Sequence, residues 1–193
     1  MAIATSQALP NQTQKFILPG CHSWENFKTI QTVMDQQSGL RITYLDGVIE
    51  LMTLGEHHES IKSMIAILLG IYFWKQRIEF IPVGSATRSS QEQAVSFEPD
   101  ESYYLGEKKE HPDLAIEVNI TSGSPQKLEK YQRLGIREVW MWQDEKFSIY
   151  TLNDQSYEKV SASKLLPQLN FSLLEECILM PSRLEAIQKF TNA

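Results

Sequence analysis

Apolar residues recur along this chain with two alternating periods, and each change of period marks an element. Behind Ser23, a side chain suited to capping a helix start, 24-WENFKTIQTVM-34 carries apolar residues at helical spacing, and Gly39 follows its end. The next stretch, 41-RITYLDGVIELM-52, sets two β-prone runs around Asp46-Gly47, a dipeptide that accommodates the positive φ angles of a tight hairpin turn. From His57 to Gln76 the spacing is helical again: Ile61, Met64, Ile65, Leu68 and Tyr72 share a face that Leu69 and Ile71 widen, so this helix is expected to lie flat on a sheet.

Beyond it, 79-EFIPVG-84 and 94-AVSFEPDESYYL-105 read as strand runs joined by the polar link 88-RSSQEQ-93. The loop 106-GEKKEHP-112 leads into a strand at 113-DLAIEVNI-120. Ser124-Pro125 at one end and Gly135 at the other delimit a short helix, 125-PQKLEKYQRL-134. Strands at 137-REVWMW-142, 147-FSIYTL-152 and 156-SYEKVSA-162 and a closing helix at 181-PSRLEAIQKF-190 complete the reading. This order predicts an α+β fold, a central mixed β-sheet flanked by helices with an additional β-hairpin region, instead of a regular βαβαβ repeat. No internal repeat, low-complexity segment or Gly-rich phosphate loop interrupts it.

Bulk properties narrow the class. At 193 residues the chain supports one core, so residues 1–15 are expected to be a flexible tail and 16–193 a single domain. A net charge of −6 excludes a molecule coated in basic surface, while leaving room for a local basic patch. Cys21 and Cys177 stand in no metal-binding spacing and fit two reduced thiols of a cytoplasmic protein. The opening MAIATSQALP lacks the features of a secretory signal, and the most apolar run, 63-SMIAILLGIYFW-74, falls short of the roughly 20 residues needed to cross a bilayer, so a membrane location is not expected.

The chemistry concentrates in the strand at 113–120. Alternation puts Leu114, Ile116 and Val118 on one face and Asp113, Ala115 and Glu117 on the other. Asp113 and Glu117 are roughly 13 Å apart along an extended strand, too far to hold one ion together. Glu117 lies deeper in the apolar run and therefore needs a cation or strong donors beside it. In the following helix Leu128, Tyr131 and Leu134 define the inward face; Lys127 lies about 45° from its centre and Lys130 about 105°. That places Lys127, in a first turn where the dipole disfavours a cation, toward the end of the strand with Glu117. Asp100, behind Pro99, is the candidate for a second carboxylate.

Taken together, 99-PD-100, 112-PDLAIEVNITS-122, the Lys127-Leu128-x-x-Tyr131 helix and 135-GIREVWMW-142 resemble the bacterial restriction-endonuclease family of the PD-(D/E)xK nuclease superfamily. Upstream the resemblance takes in 44-YLDGVIELM-52 and His58, and downstream it runs through Tyr150. It implies a restriction-endonuclease-like sheet of four to five strands in which Asp100 and Glu117 hold Mg²⁺ or Mn²⁺ near a phosphodiester of nucleic acid, DNA above all. Where the superfamily carries a lysine two residues after the second acid, this chain has Asn119, and the resemblance assigns the positive charge to Lys127 on the next helix. Tyr131 is expected to pack or bond nearby, and a homodimer would suit cleavage of both strands. The competing reading is a catalytically silent nuclease fold that binds nucleic acid or protein.

Other residues have plainer readings beside the functional ones. His58 matches the family's histidine, with a capping role as the alternative. Glu50 is an accessory acid or a surface charge, and Asp113 an accessory acid or a solvated residue behind Pro112. Lys127, Lys130, Arg133 and Arg137 could touch a phosphate backbone or form a solvated face, and Trp140 and Trp142 read as core or interface aromatics, with base stacking as the alternative.

Overall fold

The hairpin forms where its turn residues place it. Strands β2 (Leu40–Leu45) and β3 (Val48–Thr53) pair antiparallel with Leu45 opposite Val48, and Asp46 and Gly47 take the positive φ angles, 47° and 85°, of a two-residue turn. The computed structural model describes residues 14–34, 39–119 and 126–193, the side chains of residues 126 and 127 excepted. Before the hairpin come β1 (Gln14–Ile17) and α1 (Trp24–Met34). After it the chain runs through α2 (Glu56–Gln76), β4 (Phe80–Pro82), β5 (Arg88–Ser90), β6 (Val95–Phe97), β7 (Glu101–Leu105) and β8 (Leu114–Val118). Helix α3 (Gln126–Arg133), strands β9 (Glu138–Gln143), β10 (Lys146–Asn153) and β11 (Ser156–Val160), and helices α4 (Phe171–Leu179) and α5 (Arg183–Asn192) complete it.

The expected α+β class holds, with a correction to its layout. Among the described residues there are two sheets: a six-stranded mixed sheet, β11-β10-β9-β8-β7-β4, and a five-stranded antiparallel one, β1-β3-β2-β6-β5. The hairpin is thus the middle of a second sheet, not an appendage to a sheet of four or five strands. The reason lies in the run 94–105, which reads as continuous but divides at Glu98-Pro99-Asp100: β6 pairs with β2 and β5, whereas β7 pairs with β8 and β4. Proline has no N–H to donate and restricts the residue before it, so a ladder cannot run through Pro99. The polar link 88–93 supplies β5, and β1 starts at Gln14, inside the segment expected to be a tail; residues 1–13 lie outside the described residues.

Within the mixed sheet β8 and β9 are the parallel neighbours, which requires a crossover, and α3 provides it. Leu114, Ile116 and Val118 of β8 face α2, α4 and α5 in the largest core, together with Ile65, Leu68, Phe73 and Trp140. The opposite face of β8 meets a second core between the sheets, built from Ala115, Val95, Phe97, Tyr131 and Val139. A third cluster, Phe27, Ile42, Tyr44 and Ile49, fixes α1 on the five-stranded sheet. Trp140 and Trp142 are core residues of the first cluster, which removes them as base-stacking platforms. No helix among the described residues is long and apolar enough to cross a membrane.

Candidate active site

Strand alternation decides where Glu117 points. Its neighbours Ile116 and Val118 belong to the helix-covered core, so Glu117 shares the side of Ala115 and looks into the space between the two sheets, beneath α3. Asp100, at the point where the chain crosses from one sheet to the other, is fixed on both flanks of Glu117. Its own N–H donates to the Ile116 carbonyl at 3.1 Å, and its Oδ2 accepts the Val118 N–H at 2.6 Å. The two carboxylates are therefore neighbours on adjoining segments, and both are buried, at 1% and 3% exposure.

Such burial is costly unless each charge is answered, and cations answer both. The Arg41 guanidinium donates through Nη1 to Asp100 Oδ1, and its Nε lies 3.8 Å from Glu98. His58 Nε2 lies 3.1 Å from Asp100 Oδ2. Burial alone would raise the Asp100 carboxyl, but the hydrogen bond and charge of His58, the Arg41 guanidinium and the Val118 N–H outweigh it and hold the group down at about 2. On Glu117, Lys130 Nζ donates to Oε1 at 2.8 Å and the Tyr131 hydroxyl donates to the same oxygen. Burial first, then the Glu117 charge, pushes the Tyr131 phenol well above its ordinary value, so it remains a donor. Lys130 Nζ also stands 4.8 Å from the Phe97 ring centroid, an aromatic face that favours a cation.

The remaining predicted residues are distributed more widely. Lys127 lies in the first turn of α3, but its side chain is outside the described residues, as is Ser124. Asn119 is buried beyond the end of β8, its N–H bonded to the Trp142 carbonyl. Asp113 sits at the opposite end of β8, where it accepts the Leu105 N–H and pairs with Lys109 and Arg137. Glu50 pairs with Lys15 at 2.5 Å. A capping role for His58 is corrected: Gly55 is the N-cap of α2, and the imidazole is turned toward Asp100.

Two residues escaped the sequence reading. Lys130, set about 105° off the inward face by the helical wheel, is buried at 9% exposure instead of solvated. The wheel assumed one packing partner, but α3 touches both β6 and β11, so its inward arc covers two sheets. Arg41 carried a signal that went unused, a full charge between Leu40 and Ile42 in a strand. Both cations line a cleft of 390 Å³, whose described lining residues also include the carboxylates Glu117, Glu98 and Glu50 and the cation Lys15. A larger hollow of 830 Å³ lies beside Trp74 and Phe80, near the far end of α2 from His58, and shares no lining residue with the cleft.

Among comparisons with known proteins, the family model agrees with the sequence resemblance. No curated protein matches the chain. A similar solved structure is that of a "putative nuclease belonging to DUF820" from Anabaena variabilis, with 18% identity, coverage of 77% of this chain and 90% of that one, and a TM-score of 0.48. The family model Uma2, described as "Putative restriction endonuclease", matches residues 24–180, and the chain belongs to that family.

Proposed function

We propose that this Uma2 protein is a metal-dependent nuclease that hydrolyses phosphodiester bonds of DNA, with Asp100 and Glu117 holding Mg²⁺ or Mn²⁺. The observation that carries the proposal is the pairing of two buried carboxylates on adjoining segments beside a cleft. Carboxylate oxygens are the hard donors these cations prefer. No group of three or more His, Cys, Asp or Glu suited to a metal exists among the described residues, but Mg²⁺ keeps several waters and is commonly held by one or two carboxylates. The donor chemistry therefore fits. When bound, the cation supplies polarisation of the phosphate and a lowered pKa for the attacking water.

This chain's own groups take the other roles. Lys130 brings positive charge to Glu117, where Asn119 brings none, and Lys127, in the first turn of the same helix, takes the role of stabilising the phosphate. Tyr131 fixes the Glu117 carboxylate through one oxygen, and His58 fixes Asp100. Among the described residues the cleft's carboxylates outnumber its cations, a balance that disfavours a polyanion and that an entering cation would offset. Two free thiols, Cys21 and Cys177, support a cytoplasmic location, and a homodimer suits cleavage of both DNA strands.

A binding role without cleavage is favoured by a specific observation, the engagement of both carboxylates by cationic side chains. Incubating supercoiled plasmid with the protein and Mn²⁺ separates the two. Nicking that chelation stops and Glu117→Ala removes is expected; intact plasmid in the presence of a folded protein sinks the enzymatic reading.

A further inference from the structure

Arg41 holds an unusual position for a structural arginine. It is buried in β2, on the five-stranded sheet, yet its guanidinium reaches the carboxylate of Asp100, immediately before β7 of the mixed sheet, 59 residues later. It lines the same cleft as Glu117 and Glu98, and it feels the charge of both as well as that of Asp100. A divalent cation shared by Asp100 and Glu117 must approach from that cleft, and it meets a guanidinium already in place. One oxygen of Asp100 accepts the Val118 N–H and faces His58 Nε2 at 3.1 Å, whereas the other is bonded to Arg41. A backbone N–H cannot move away, but a long side chain at the wall of a cleft can.

We propose that Arg41 is the resident counter-ion of the metal site: its guanidinium neutralises Asp100 in the metal-free protein and must leave that carboxylate for a divalent cation to bind. The proposal rests on the metal-dependent reading given above. It makes Arg41 a positioning residue whose ion pair opposes metal binding, so removing the side chain strengthens binding where loss of a scaffold contact would weaken it. Glu98, 3.8 Å from the Arg41 Nε, is the carboxylate to which the displaced guanidinium can turn.

Isothermal titration calorimetry of the whole chain with Mn²⁺ tests this. Arg41→Met, which keeps the length and drops the charge, is expected to bind Mn²⁺ about tenfold or more tightly than the wild type, equivalent to about 1.4 kcal/mol. Arg41→Lys, which restores a cation, is expected to return affinity toward the wild type. Equal or weaker binding by Arg41→Met overturns the exchange and leaves the nuclease reading standing. Absence of Mn²⁺ binding in wild type and variant alike overturns both. Should Arg41→Met fail to fold, nitrogen-15 NMR of the wild type decides: Mg²⁺ is expected to shift the Arg41 Nε–H signal together with the Val118 amide. A Val118 amide that moves while Arg41 does not, or neither moving, refutes the proposal.

Discussion

Glu138 is more deeply buried than Glu117, yet the two carboxylates live in opposite chemical settings. Glu138, at the start of β9, has no exposure, and its oxygens accept from Trp140 Nε1, the Thr151 and Ser163 hydroxyls and the N–H groups of Lys164 and Leu165. Every one of those donors is neutral, and two belong to the main chain. Glu117 and Asp100 are answered instead largely by the side chains of Lys130, Arg41 and His58, two of which line a cleft. Neutral fixed donors make a carboxylate an anchor, because nothing that solvates it can leave without unfolding. Cations on long side chains make it exchangeable, because another cation can replace them. Burial by itself does not distinguish a working acid from a structural one; the identity of the partners does.

Substitutions at the two positions should therefore separate activity from stability. Glu117→Gln is expected to reduce plasmid nicking by about 10³-fold, the several kcal/mol of charge stabilisation a held metal provides, with a smaller fall in melting temperature than Glu138→Gln. An equal fall would make Glu117 another anchor and break the comparison. Glu138→Gln turns an amide NH₂ toward donors and is expected to cost about 3 kcal/mol, or roughly 6–12 °C in melting temperature, while Mn²⁺ affinity of the folded fraction is unchanged. Calorimetric titration below the transition checks the second half.

Asp113 stands between the extremes, held by the Leu105 N–H and by the partly exposed Lys109 and Arg137. Burial alone would raise its carboxyl, but Lys109, the Leu105 N–H and Arg137 prevail and keep it below its ordinary 3.8. Its stabilisation is thus complete above that value and is lost as pH falls through the lower value of the folded state. Asp113→Asn should cost about 1–2 kcal/mol at neutral pH and less in acid, seen as convergence of the two melting curves below pH 3.8. The smallest effect belongs to the exposed end of the series: Arg133→Met, which removes the pair with Asp46, should cost less than about 1 kcal/mol and less still in high salt. A larger, salt-independent loss in denaturant titration would show that surface pairs here behave like buried ones.

Local periodicity made much of this architecture legible. The Asp46-Gly47 hairpin, the apolar face of α2 and the in-out alternation of β8 depend on neighbours within a few residues, and the structure repeats them. The side of β8 that Glu117 occupies follows from the same alternation. What could not be read was which surface each element meets. Pro99 marks a break, but not that the strands on either side join different sheets. Lys130 looked solvated because a wheel drawn against one partner cannot show a second, and Arg41 reaches Asp100 only because β2 packs beside the crossing point. Helix α4 had its start signal in Asn170, whose side chain accepts the Leu173 N–H, but its mostly apolar sequence shows no clear stripe.

The Arg133 contacts have a mechanical consequence. From the last turn of α3 this side chain grips Asp46 at the hairpin tip through Nη1 and Nη2, the Gln93 carbonyl before β6, and Glu129 on its own helix. Asp46 and Glu129 both border the cleft, so Arg133 acts as a drawstring across its rim. The knot is tied in solvent, where ions screen attraction beyond about 8–10 Å and weaken even close pairs. Ionic strength then sets how firmly α3 is laced to the five-stranded sheet at that rim, a salt dependence of the cleft's wall that originates in the protein itself.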